Sequence, residues 1–111
     1  MTMNETYAAV EPARAEIDAL EGPALLEFGS AWCGHCRAAQ PLIALALVSH
    51  SGVRHLKIAD GPGHPLGRSF NVKLWPTLVF LDGGKEQSRL VRPADAGAIA
   101  GALAVIDTTC R

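Results

Sequence analysis

Residues 24–36 read ALLEFGSAWCGHC: an apolar run of strand length leads directly into two cysteines with two residues between them. That juxtaposition constrains the chain more than any other feature, because the only further cysteine is Cys110, near the far end. A c-type haem anchor needs a histidine immediately after the second cysteine, and Arg37 stands there instead. A structural zinc site needs four ligands, usually a second such pair or a paired histidine set. The remaining candidates, His50, His55, His64 and Cys110, are scattered singly, so no metal is expected.

What remains is a redox pair at the start of a helix. After Cys33 the sequence CGHCRAAQPLIALALVSH is rich in Ala and Leu and of helical length, with Pro41 inside it as an expected kink. The first cysteine then meets unpaired backbone N–H groups and the positive end of the helix dipole, which favour a thiolate. A dipole contribution of about 1–2 kcal/mol corresponds to roughly one pKa unit. Cys33 is therefore read as the nucleophile. Cys36, one turn into the helix and more buried, is read as the resolving thiol that attacks the mixed disulfide.

The rest of the chain supplies a scaffold. Residues 10–20, with Ala13, Ile17 and Leu20 on one face, predict a first helix that Gly22 and Pro23 end. Residues 24–30 and 53–59 predict strands, PLGRSFNV a short helix or turn, and residues 75–81 and 85–91 a hairpin closed by DGG. A last helix is expected over 94–106. This order implies an α/β domain over residues 1–111, a mixed sheet with helices on both faces, with 1–7 and 107–111 as loose termini. At 49% hydrophobic and 19% charged residues, with a formal net charge of -1, no basic stripe exists to neutralise phosphates, and nucleic acid is excluded as a partner. The longest apolar run, LIALALV, is too short to span a bilayer. The first twenty residues lack a secretory pattern, so a cytoplasmic setting is expected, where lasting structural disulfides are rare.

Taken together, EFGSAWCGHC, Pro41 five residues after Cys36, WPT at 75–77, the hairpin with Gly84 and the closing helix resemble the thioredoxin family over about residues 24–106. The resemblance implies the thioredoxin fold, possibly without its opening strand. It also implies thiol-disulfide exchange with protein or small disulfides and no bound cofactor. Electrons would come from a donor such as a thioredoxin reductase or glutathione system, and the chain would act as a monomer. A binding module of the same fold, with incidental turnover, is the alternative reading.

The same resemblance implies individual roles. Pro76 would be cis and face the cysteines, leaving the backbone of Trp75 to pair with an extended substrate segment. Trp32 would shield the pair and offer apolar contact, and Trp32, Gly34, Trp75 and Pro76 would together form the substrate-binding surface. Glu27, inside an apolar stretch, would accept the proton of Cys36. Lys57 resembles the family's lysine near that carboxylate. His35 gives CGHC, the pairing of disulfide isomerase domains, and an imidazolium there would stabilise the Cys33 thiolate. Two positions depart from the family pattern. Gly29 replaces a common tryptophan, and Arg92 replaces a glycine on the substrate-facing rim. His50, His55 and His64 are read as solvated, and Cys110 as incidental.

Overall fold

The computed structural model describes residues 3, 4 and 6–107. Four strands, β1 (Pro23–Gly29), β2 (Arg54–Ala59), β3 (Thr77–Asp82) and β4 (Lys85–Val91), form one sheet in the order β2-β1-β3-β4. β1 and β2 are parallel, whereas β1 with β3 and β3 with β4 are antiparallel. The helices are α1 (Arg14–Asp18), α2 (Gly34–Leu47), α3 (Pro65–Ser69) and α4 (Ala96–Ile106). The parallel pair is joined through α2, the crossover that such a pair requires.

Side chains alternate across the central strands, so each contributes to two cores. Leu25, Leu78 and Phe80 face α2 and α4, where they pack with Ile43, Ile99 and Leu103. Leu26, Phe28, Val79 and Leu81 face the other way, onto Ile17, Leu66 and Phe70. Each such fully buried side chain contributes about 1.5–3 kcal/mol of transfer free energy. By the same alternation Glu27 shares the face of Leu25 and is buried against α2.

The β3–β4 hairpin turns through Gly83 and Gly84, both at positive φ (60° and 79°), as a two-residue loop with right-handed strand twist requires. Gly84 has a second reason to lack a side chain, since a Cβ would overlap the backbone carbonyl of Asp18.

Several boundaries differ from expectation. The helix expected over 10–20 is confined to Arg14–Asp18, because Ala13 is extended (φ -73°, ψ 154°) and its N–H is taken by Glu16 Oε1 at 3.1 Å. β3 starts at Thr77, not residue 75, since Pro76 has no N–H to add to the ladder. α2 runs from Gly34 to Leu47 with Pro41 inside it.

The termini are not loose where they are described. Met3 packs against the core under α2 and α4, Asn4 N–H donates to His55 Nδ1 at 2.8 Å, and Ala8 N–H donates to the Lys57 carbonyl at 2.8 Å. No described strand precedes β1; that segment lies along the edge of β2 instead. At the other end Asp107 is buried, with Oδ2 2.7 Å from His50 Nδ1. His50 is thus a paired group, not a solvated one. Cys110 lies outside the described residues.

Candidate active site

β1 delivers the chain to residues 30–33, and α2 begins at once. Cys33 is the N-cap of α2, in extended conformation (φ -84°, ψ 118°), and its Sγ accepts the Cys36 N–H at 3.2 Å. A sulfur in the place of a capping oxygen receives the donor that a helix start leaves unsatisfied. Burial pushes the Cys33 thiol up, but it is outweighed by hydrogen bonds from the Cys36 side chain and from the backbone at Cys36 and His35, and by the Arg92 charge, so its pKa lies below the ordinary value. Cys36 behaves oppositely. It is 1% exposed, and burial, the hydrogen bond to Cys33 and the charges of Cys33 and Glu27 push it up to about 12.

The Trp75–Pro76 peptide bond is cis, and the Trp75 carbonyl lies 3.9 Å from Cys33 Sγ. That carbonyl is not left free, because Arg92 Nε donates to it at 2.8 Å. The Trp75 indole is held by Nε1–H donating to Asp60 Oδ2 at 2.8 Å. Together Trp75, Asp60, Pro62 and the segment Trp32–His35 line a groove of ≈ 720 Å³ that opens on Cys33. Trp32 is 88% exposed, so it offers contact area to a partner and does not shield the cysteines as expected. Gly34 faces open space, with nothing within 4 Å of an added Cβ. His35 is exposed. Its backbone acts on Cys33, whereas the cationic side chain that does so is that of Arg92.

Behind the pair lies a buried polar chain that was only partly legible in the sequence. Glu27 Oε1 accepts from His55 Nε2 at 2.9 Å, and Oε2 accepts from Gln40 Nε2 at 2.8 Å. Gln40 Nε2 also donates to the Cys36 carbonyl at 2.7 Å, and Gln40 Oε1 accepts from Lys57 Nζ at 2.9 Å. Every donor direction is set from the ends. Asn4 N–H occupies His55 Nδ1, so the ring proton sits on Nε2 and points at Glu27, while the Lys57 ammonium can only donate. His55 is therefore a buried partner of Glu27, not a solvated strand residue. Lys57 lies opposite Glu27 in the β1–β2 register but reaches it through Gln40.

Tyr7, which no sequence pattern singled out, reaches the same place from the N-terminal segment. Its hydroxyl stands beside the Cys36 sulfur: a Cβ built on Gly29 would lie 3.3 Å from the one and 2.5 Å from the other. Among the described residues no group of three or more His, Cys, Asp or Glu is placed to hold a metal ion. Nor is any described helix long and apolar enough to cross a membrane.

The thioredoxin family model matches residues 8–104. The chain is similar to thioredoxin 2 from Pseudomonas aeruginosa PAO1, solved in its reduced form, with 52% identity and a TM-score of 0.84 over 96% of this chain and 99% of that one. It is also similar to protein disulfide-isomerase A2 of Pongo abelii, 45% identical over 69 residues, which are 58% of this chain and 13% of that protein. A TPR repeat-containing thioredoxin, TDX, of Arabidopsis thaliana is 35% identical over 75 residues, 68% of this chain and 20% of that protein. The chain thus spans a fifth or less of these two curated relatives. The match runs through nearly the whole chain and not merely through its cysteine pair, and by that extent the chain belongs to the thioredoxin family of thiol-disulfide oxidoreductases.

Proposed function

We propose that the chain exchanges a Cys33–Cys36 dithiol with protein or small disulfides through a mixed disulfide. The observation that carries this reading is the opposed character of the two thiols: one caps α2 and is held below the ordinary value, the other is buried beneath it and pushed up to about 12. The Cys33 thiolate attacks one substrate sulfur and displaces the other as a thiolate. Cys36 then gives up its proton, with Glu27 as acceptor, and attacks Cys33 Sγ. The second substrate thiolate leaves, so two electrons and two protons pass to the substrate. Each Glu27 oxygen holds one donor and keeps a second lone pair for this task.

In this reading the groove beside Trp32 and Trp75 receives the substrate segment. A thioredoxin reductase or glutathione system supplies electrons in a cytoplasmic setting. The 88% exposure of Trp32 also suits a binding module, and turnover separates the two. The reduced chain should reduce insulin disulfides with dithiothreitol as donor, and a near-neutral alkylation should label Cys33 well before Cys36. Absence of turnover with intact binding favours the module, and faster labelling of Cys36 reverses the assignment.

A further inference from the structure

Cys36 must become a thiolate in a place hostile to one. It is 1% exposed, and the groups facing it are the Cys33 sulfur from α2, the Glu27 carboxylate from β1, the Ser30 backbone, which alone of these favours the thiolate, and Tyr7. Lys57 of β2, the nearby cation, is engaged by Gln40. A buried thiolate is costly even with that one backbone donor, and a further hydrogen bond to the charged sulfur recovers much of the remaining cost.

The position expected to hold tryptophan shows where such a donor comes from. A Cβ on Gly29 would stand 2.5 Å from Cys36 Sγ and 3.3 Å from the Tyr7 hydroxyl, so no side chain fits there while Cys36 keeps its place. Tyr7 comes instead from the N-terminal segment to stand at that spot. It is fixed by the adjacent Ala8 N–H on the Lys57 carbonyl and by the Lys57 ammonium 4.7 Å from its ring centroid. The ring lies on both sides of the matter, lining the groove at Cys33 and the smaller pocket that contains Cys36, Gln40 and Lys57.

We infer that Tyr7 is a further catalytic residue, whose O–H donates to the Cys36 sulfur and stabilises the thiolate that resolves the mixed disulfide. The inference rests on the exchange role proposed above. Cys36 loses its proton to the base, its sulfur bonds to Cys33 Sγ, and the bond between Cys33 and the substrate breaks with its electron pair on the substrate sulfur. Tyr7 keeps its proton throughout. Burial first, and then the charges of Cys36, Glu27 and Cys33, hold the phenol above its ordinary value, so it remains a donor where thiols titrate.

The chain has a single tyrosine, so fluorotyrosine supplied during expression alters Tyr7 alone. Reduced protein is mixed with dithiobis(nitrobenzoate) in a stopped-flow cell. The first release of thionitrobenzoate reports attack by Cys33, and the second reports resolution by Cys36. Tyr7→Phe keeps the ring on Lys57 and should slow the second phase about tenfold, the size of one lost hydrogen bond to a charged group, while the first phase and the melting temperature hold. Fluorotyrosine, a stronger donor of nearly the same shape, should speed the second phase. Either substitution leaving that phase unchanged, or both slowing it together with the first, overturns the inference while leaving the exchange reading intact. A wild-type chain with no second phase overturns both.

Discussion

Arg92 Nε and Cys33 Sγ converge on one atom, the Trp75 carbonyl oxygen, at 2.8 Å and 3.9 Å. A thiol can donate weakly to that oxygen; a thiolate cannot, and faces its lone pairs. The guanidinium draws on the same oxygen and adds a positive charge that lowers the Cys33 pKa. Arg92 does this from φ 49°, a left-handed conformation that costs a residue with a side chain about 1 kcal/mol. Backbone strain of this kind persists where the surroundings over-determine it.

Arg92→Gly, which restores the glycine of the family pattern, should therefore fold without loss of stability yet raise the Cys33 pKa. The rate of Cys33 alkylation near neutral pH should fall severalfold, and its pH profile should move to higher pH. Arg92→Lys retains a charge and should fall between the two. Superimposable pH profiles for wild type and Arg92→Gly would show that the guanidinium has no influence on the thiol.

His35 acts on Cys33 through its backbone, and this separates two substitutions. His35→Pro removes the N–H, and a proline in the first helical turn is tolerated, whereas His35→Ala keeps the N–H and removes only the exposed imidazole. Loss of thiolate stabilisation weakens the reduced form and makes the pair more reducing, by about 30 mV for each tenfold. Equilibration with glutathione should show the proline variant shifted by that order and the alanine variant much less. Equal shifts would return the effect to the imidazole.

The order of elements and the cysteine pair were legible because they depend on local pattern: period-two runs, a DGG turn, a CxxC at a helix start. The polar surroundings of Cys36 were not. His55 and Lys57 are two residues apart on one strand and so share a face, which the sequence does show, but their meeting with Glu27 and Gln40 depends on the parallel register of β1 and β2. Gln40 carried a faint signal as the one polar residue of α2 after Arg37, a turn beyond Cys36. Tyr7 carried none, since its approach to Cys36 beside Gly29 follows from where the N-terminal segment crosses the sheet edge. His50 and Asp107 meet only because α2 and α4 pack side by side.

Glu27→Gln tests that polar chain. Glutamine presents an acceptor to one neighbour and a donor to the other, yet both neighbours donate. Gln40 cannot flip to help, because its Nε2 would then face the Lys57 ammonium and its Oε1 the Cys36 carbonyl. The variant should fold but lose about 1–3 kcal/mol, the cost of a buried group left unsatisfied. Resolution of the mixed disulfide should slow as well, because an amide cannot accept the Cys36 proton. Urea denaturation and the second stopped-flow phase measure the two effects separately. A variant as stable as wild type would mean the donor directions are not locked, and an unchanged resolution rate would remove Glu27 as the base.

The two thiols also predict how the reduced protein responds to alkali. Cys36 binds its proton more tightly folded, at about 12, than unfolded, near 9.0. Its contribution to stability is therefore complete below the ordinary thiol value and is lost as pH rises through about 12. Cys33 has the opposite sign: its lowered pKa stabilises the fold above the ordinary thiol value, and that contribution fades as pH falls through the folded-state value. Tyr7, raised above its ordinary 10.0, adds to the alkaline loss. Between about pH 9 and 12 the reduced protein should thus lose stability steadily. Cys36→Ser should flatten that decline, leaving the part due to Tyr7, and the disulfide form should resemble the serine variant because neither sulfur then titrates. Denaturation midpoints across that range provide the measurement. Parallel curves for wild type and Cys36→Ser would mean that Cys36 holds its proton no more tightly in the folded chain than in the unfolded one, and the opposed character of the pair would go with it.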